Sequence, residues 1–485
     1  MVYENNVDLH LSGERGDSMA NSNKGIARIV SKAVEEARRE IGGVPEPPSK
    51  GRLKWPIDCT VGPGLEGAIA CESQVGFVNG SQGSLVYRGY DVLDLCGQST
   101  FEEVSYLLIY GRLPTKTQLH KFERKLADFR RIPLTMRLLM GFPVEKMNAM
   151  SAIRLGTNMM RQEFTQLDEM EAKRDLDTAI SADEDSIPME VPPTGDERAI
   201  YEFRKGRAGK TAKSEKAMAE AAGIASASHL IAGTATITAA VARIREGLMP
   251  LEPDPELSHA ANYLYMMTGQ RPSPTEERIM DIALILHADH GMNASTFASL
   301  VVASTLSDMY MSISSGVAAL NGPLHGGANE RVIQMLEEIG KPENVRGWYE
   351  SKKAEGQKVP GFGHRVYKRY DPRARILGPV AKFMTGRSES AKRLLETAQE
   401  LEKVVIEDLG PEKGIYPNVD FYSGLVYSCL EIPTYLFTPT FAVARVAGWT
   451  ARVLEYMKNN RIFRPRAIYT GRLNKQYVPL NKRAG

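Results

Sequence analysis

The sequence predicts a mainly α-helical protein carrying one small β-hairpin towards its N-terminal side. Three observations lead there. Helical periodicity dominates from Ser99 onward, most of Ala217 to Lys458 reads as helices broken by Gly- and His-containing loops, and β-type runs are confined to Ala68–Arg88. The hairpin expectation rests on Gln74–Val78 and Ser84–Tyr87, two short β-type runs around the turn Asn79-Gly80-Ser81-Gln82-Gly83.

Each element has its own signal. The first 50 residues are polar, with one helical stretch, Ile26 to Ile41, that ends before the break Val44-Pro45-Glu46-Pro47-Pro48. Ser99-Thr100 stands as a cap before the amphipathic run that begins at Phe101. Between Gln162 and Lys216 the periodicity fails: the acidic Asp183-Glu184-Asp185 and then the basic Arg204-Lys205-Gly206-Arg207 mark a solvated insertion. Ala221 to Ala242 lacks formal charge for about the length of a membrane span. It is rich in Ala, Ser, Thr and Gly and contains His229, which favours a helix buried inside the protein over a membrane crossing.

Composition narrows the function classes. At 485 residues the chain exceeds the roughly 150 of one domain, so two or three compact units are expected. Lys and Arg number 61 against 59 Asp and Glu, and this balance argues against nucleic acid or an anionic membrane as partner. Any anionic ligand must be met locally. The cysteines Cys59, Cys71, Cys96 and Cys429 are too far apart for Cys-x-x-Cys chemistry and read as reduced thiols. The opening residues fit neither a secretory signal nor a transit peptide, so the expected location is cytoplasmic.

Histidines beside glycine or asparagine mark where chemistry could sit. They occur in His287-Ala288-Asp289-His290, Pro323-Leu324-His325-Gly326-Gly327 and Pro360-Gly361-Phe362-Gly363-His364. The His-x-x-His pair supplies only two metal ligands with no third of matching spacing, so no metal is expected, and His287 among apolar neighbours reads as a histidine satisfied by hydrogen bonds. Gly363 to Arg373 packs His364 with several cations, a pattern suited to carboxylates and phosphates. Asp420, in Asn418-Val419-Asp420-Phe421-Tyr422-Ser423-Gly424, reads either as a helix cap or as a desolvated general base. Two histidines, one aspartate and several arginines fit enolisation of a carbonyl compound and its addition to a keto acid.

With these motifs in place, the sequence resembles the citrate synthase family from about Gly64 to Gly471. The carriers are Leu286–His290 with Asn293–Thr296, Gly322–Glu330, Gly361–Tyr367 ending at Asp371-Pro372-Arg373, Asn418–Gly424, Ala444–Trp449 and Arg464-Pro465. The resemblance implies an all-α, two-domain fold and a homodimer with a shared active site. It divides the chain into an N-terminal extension (1–60), a large helical domain (61–324, with the charged insertion at about 162–216, and again 434–485) and a small helical domain (325–433).

The resemblance also implies roles. His325 would bind the thioester oxygen of acetyl-CoA, Asp420 would remove the methyl proton, and His364 would polarise the ketone of oxaloacetate. His290, Arg373, Arg445 and Arg464 would hold the substrate carboxylates, Arg464 reaching in from the partner chain. The loop Val359, Pro360, Gly361 and Phe362 would receive the adenine of CoA, with Lys358, Lys368 and Arg369 on its phosphates. No cofactor is expected, acetyl-CoA being a substrate. The motifs are shared with 2-methylcitrate synthase, which uses propionyl-CoA, because one methyl is worth only about 1–3 kcal/mol in an apolar pocket. A citryl-CoA lyase would run the same chemistry in reverse. The chain departs from many members in having Arg452 where they carry histidine and Leu300 where many bacterial ones carry arginine, neither position being expected to bear the chemistry. No β-rich N-terminal domain of the NADH-regulated kind is evident.

Overall fold

The computed structural model describes residues 16–41, 55, 57–163, 212–384, 389–472 and 476–483. Most of the insertion expected at 162–216 therefore lies outside the described residues. The helices, in order, are α1 (Gly16–Ile41), α2 (Val92–Gln98), α3 (Phe101–Tyr110), α4 (Lys116–Phe129), α5 (Pro133–Leu139), α6 (Ala149–Met159), α7 (Ala212–Arg245), α8 (His259–Thr268) and α9 (Pro274–His287). They continue with α10 (Ala294–Ser304), α11 (Met309–Leu320), α12 (Ala328–Ile339), α13 (Val345–Ala354), α14 (Pro372–Met384), α15 (Glu389–Lys413), α16 (Val419–Cys429) and α17 (Phe437–Met457).

Local chemistry sets their boundaries. Thr100 caps α3 by accepting from Glu103 N, while Thr115 with Gln118 and Ser273 with Glu276 form reciprocal capping boxes at α4 and α9. The expected hairpin is larger than predicted. Strands β1 (Gly76–Asn79) and β2 (Ser84–Tyr87) pair antiparallel, Gly76 opposite Tyr87, and a short β3 (Tyr90–Asp91) adds a third strand. The difference arises because Gly89, at φ +92°, reverses the chain directly after β2.

The N-terminal helix starts earlier than the expected Ile26. Ile26, Val30, Ala33, Val34 and Ala37 form its buried stripe, which packs on α14 and α9. The uncharged stretch lies in α7, and 83% of its most apolar window is buried, against α17, α6, α8 and α4. By length and composition it could cross a membrane, but its surface is spent on neighbouring helices.

Helix α17 is the hub on which the site is assembled. Residues from Phe437 to Val453 are all buried, an all-round burial that explains why its sequence has little amphipathic contrast. It packs against α7, α9, α10, α11 and α12, and so brings the His287–His290 turn and the His325 loop to one helix.

Candidate active site

Three loops and two helices place the residues. The turn after α9 carries His290, and the loop before α12 carries His325. The segment between α13 and α14 carries His364, while Asp420 opens α16 and Arg445 lies in the middle of α17.

The loop around His364 is joined to the start of α16 by backbone. Gly363 N donates to Tyr416 O (2.9 Å), Asn418 N to Gly361 O (2.9 Å) and Asn418 Nδ2 to Gly363 O (3.0 Å). This explains the glycines. Gly361 has φ +80°, and a side chain there would meet Phe421 at 2.9 Å, so only glycine lets the loop lie against the helix. The N-cap of α16 is Asn418, whose side chain accepts from Asp420 N at 3.0 Å. The cap alternative for Asp420 is therefore corrected: a neighbour does that work and the Asp420 carboxylate is left for other use. Although Asp420 keeps some exposed surface, protein surrounds its carboxyl. Burial pushes it up to about 6, against the opposing pull of Arg373.

The tautomers of both central histidines are set by fixed backbone donors. His364 Nδ1 accepts from the N–H groups of Val366 (3.0 Å) and Tyr367 (3.1 Å), so its ring proton sits on Nε2. His325 Nε2 accepts from Ser295 N (3.3 Å) and lies 2.8 Å from Ser295 Oγ, which puts its proton on Nδ1. Burial brings both rings down to about 4; Arg445 reinforces this for His325, while Asp371 opposes and Arg373 reinforces it for His364. Each is a neutral hydrogen-bond donor at physiological pH.

His290, Arg373 and Arg445 are 8%, 2% and 1% exposed. The His290 ring packs edge-on to His364 with centroids 5.1 Å apart, and its Nε2 lies 3.2 Å from Tyr367 Oη. Asp371 grips Arg373 in a two-point pair (3.0 and 2.8 Å) and also accepts from Val419 N (3.1 Å), tying the guanidinium to the first turn of α16. Arg445 donates through Nε to His287 O (2.6 Å), while its buried Nη2 has no protein partner. A buried guanidinium donor left over in this way suits an anionic oxygen of a ligand. Burial and the nearby Arg373 lower Arg445 to about 10, and Arg445 in turn influences His325, His290 and Asp420, so all four share one electrostatic neighbourhood.

The remaining candidates are less enclosed. Lys358, Lys368 and Arg369 are exposed, with Arg369 Nε donating to Ser81 O at 3.1 Å and Lys368 N to Gly80 O at 3.0 Å. Val359, Pro360 and Phe362 are half-buried, Phe362 packing edge-on to Phe421 with centroids 4.7 Å apart. Arg464 is exposed in the stretch after α17, and among the described residues no hydrogen bond joins it to His290, Arg373 or Arg445. Its neighbour Phe463 is anchored on α10 through Phe297 and Ser304. His287 departs from its expected full satisfaction: Nδ1 lies 2.6 Å from Ala283 O, but Nε2 is buried without a partner.

Sequence reasoning missed the residues that hold the site. Ser295, Asp289, Asp371 and Tyr367 lie inside the motifs with no role assigned. Glu402 lies outside every motif, yet its carboxylate accepts from Tyr370 Oη (2.5 Å) and from Tyr422 Oη, joining the His364 segment to α16. Only a spare carboxylate in the α15 stripe could have signalled it. Among the described residues no three His, Cys, Asp or Glu side chains cluster as metal ligands.

Known proteins resemble this chain over most of its length. Residues 64–466 match the family model "Citrate synthase, C-terminal domain". The chain is 42% identical over 420 residues to the citrate synthase of Synechocystis, covering 87% of this chain and 93% of that one. Citrate synthase from Pyrobaculum aerophilum superposes with a TM-score of 0.72 at 37% identity, over 90% of this chain and all of that one. The Thermoplasma acidophilum enzyme, solved as a ternary complex with carboxymethyl coenzyme A and oxaloacetate, gives 0.71 at 32% identity, over 88% of this chain and all of that one. The fold is all-α like theirs, and the chain belongs to the citrate synthase family of acyl-transferring enzymes.

Proposed function

We infer that this protein condenses acetyl-CoA with oxaloacetate and water to give citrate and CoA. The observation that carries the reading is geometric: His364 and His325 each have one ring nitrogen accepting from fixed backbone N–H groups, which leaves the other as a donor, while Asn418 caps α16 and frees the Asp420 carboxyl. The shifts of these groups, upward for the carboxyl and downward for both rings, support it. A methyl group next to a thioester is a very weak acid, so its proton leaves only if the base acts while a donor stabilises the developing enol oxygen.

In this reading Asp420 takes a methyl proton of acetyl-CoA as Nδ1–H of His325 hydrogen-bonds the thioester oxygen. The enol carbon attacks the ketone of oxaloacetate, whose oxygen is polarised by Nε2–H of His364, and the resulting alkoxide is protonated to the hydroxyl of citryl-CoA. Water then hydrolyses the thioester, releasing citrate and CoA. Arg373, Arg445 and His290 hold the carboxylates. Lys358, Lys368, Arg369 and the segment Val359–Phe362 receive CoA. Neutral histidines suit this task because a strong cation beside the base would hold Asp420 ionised and weaken it.

A homodimer with Arg464 entering the partner's site belongs to the same proposal. Its support is apolar surface that a monomer leaves in water: Leu306 in the turn between α10 and α11, Met311 in the first turn of α11, and Ile468, Tyr469, Tyr477 and Leu480 after Arg464. Co-refolding Asp420→Ala with Arg464→Ala tests it. Random pairing makes half the dimers mixed, so about a quarter of all sites regain both residues and turnover recovers to that extent. Mixed dimers without recovered turnover would place Arg464 in its own chain's site or in structure alone.

The reaction is tested by CoA thiol release with acetyl-CoA and propionyl-CoA separately, each with oxaloacetate. A higher kcat/KM with acetyl-CoA is expected. The reverse order would change the acyl substrate, and no thiol release from either would remove the reaction class.

A further inference from the structure

Behind His290 lies a charge pair that the proposed reaction does not use. Asp289 is fully buried, and Arg452 meets it with both ends of its fork, Nε to Oδ1 and Nη2 to Oδ2, each at 2.7 Å. Arg452 stands about two turns beyond Arg445 on the same face of α17. Asp289 Oδ2 also accepts from Gly291 N (3.1 Å), so its carboxylate spans the residues on both sides of His290. The turn is pinned further by Gly448 N donating to Ala288 O (3.0 Å) and Tyr87 Oη to Asp289 O (2.9 Å).

The strand above the pair seals it from water. Gly76 of β1 offers its carbonyl to Arg452 Nη2 (3.3 Å), and a side chain at this position would come within 2.5 Å of Asp289 Oδ2. Glycine there lets the backbone close directly over the ions. Arg452 Nη1 reaches Ser73 Oγ (3.1 Å), whose hydroxyl bonds Glu455 (2.5 Å).

We propose that Arg452 is a positioning residue for oxaloacetate, acting through Asp289 to fix His290 and to neutralise a buried carboxylate beside a doubly anionic substrate. This rests on the reading of the site as an oxaloacetate site. Buried without a cation, Asp289 would either repel the dianion or take up a proton and lose its grip on Gly291 N. Burial alone raises its carboxyl, and Arg452, followed by Arg445, reverses this to below the ordinary carboxylate range. The guanidinium suits the task because it stays charged at every working pH and its fork matches a carboxylate at two points. The ionisable groups around Arg452 are Asp289 and His290 from the turn, Arg445 and Glu455 from its own helix, and Cys71 and Arg88 from the N-terminal segment.

The test compares Arg452→Gln, Arg452→Lys and Arg452→His with the unaltered enzyme, using steady-state kinetics in both substrates and calorimetric titration with oxaloacetate alone. Arg452→Gln raises the oxaloacetate KM and Kd about tenfold or more while the acetyl-CoA KM stays within about twofold. Arg452→Lys recovers part of the loss. In Arg452→His the oxaloacetate KM climbs with pH across about 6 to 8 as the imidazolium loses its proton, whereas the parent stays flat there. Ser73→Ala, which removes the hydroxyl from Arg452 Nη1 and Glu455 but leaves the Asp289 pair and the Gly76 contact, leaves the oxaloacetate KM unchanged. Should Arg452→Gln fail to fold, the Lys and His variants carry the comparison. Folded variants whose oxaloacetate KM and pH profile match the parent would overturn the proposal and leave Arg452 as a fastener of β1. A parent that neither binds oxaloacetate nor releases CoA would instead strike down the functional reading on which it stands.

Discussion

On the proposed keto-acid side of the site, His290, Arg373 and Arg445 are buried and each has a protein contact. On the proposed CoA side, Lys358, Lys368 and Arg369 are exposed. The contrast reflects the chemistry of each ligand. A small dianion gives little apolar area, so its affinity must come from guanidinium groups already oriented in a low-dielectric setting, where hydrogen bonds and charges act strongly. CoA is long and offers many contacts, so its phosphates can be met by exposed cations at the rim, each contributing little. One half of the proposed site is built in advance, and the other stands exposed.

The largest effect should come from breaking the built half. Asp371→Ala leaves Arg373 as an uncompensated buried charge and removes an acceptor from Val419 N, and a loss of about 3–5 kcal/mol in urea unfolding is expected. A change within error would show that this side is less dependent on its pairs than described. Next in size are the donors. His364→Ala and His325→Ala should each lower kcat by about 100- to 1,000-fold with the fold intact, since each removes the hydrogen bond to an oxygen that gains negative charge.

The pH profile sharpens the same comparison. The proposed base, Asp420, can work only when ionised, and with its carboxyl raised to about 6 acidification removes that base before the two histidines, lowered to about 4, take up protons. The kcat/KM for acetyl-CoA should therefore fall by about tenfold per pH unit below about 6. A flat profile down to pH 5 would put the base elsewhere. Smallest are the rim cations: replacing Lys358, Lys368 or Arg369 by Ala should raise the acetyl-CoA KM only a few-fold, and less at high salt, leaving the oxaloacetate KM unchanged.

The same division separates what the sequence made legible from what it hid. Helical periodicity, the Thr100 cap and the turn at Asn79–Gly83 are local signals, and the structure places α3 and the β1–β2 turn where they predict. The candidate catalytic residues were legible because glycine, histidine and arginine cluster unusually around them. Their supports were not, because they depend on contacts between distant segments. Asp289 meets Arg452 across 163 positions, and Ser295 meets His325 across 30. Nothing near Arg452 announces that its partner lies in another motif, so the position reads as one with no bearing on chemistry. The third strand was missed for the opposite reason: β3 is only two residues long, too short for any alternation to show.

The central claim is that Asp420 generates the enol while two neutral histidines supply hydrogen bonds. It is tested most directly by exchange of the acetyl-CoA methyl hydrogens in deuterium oxide, with the parent and Asp420→Asn compared. The parent should exchange, and the variant, folded and still binding oxaloacetate, should exchange at least about 100-fold more slowly. Near-parental exchange in Asp420→Asn would contradict the account.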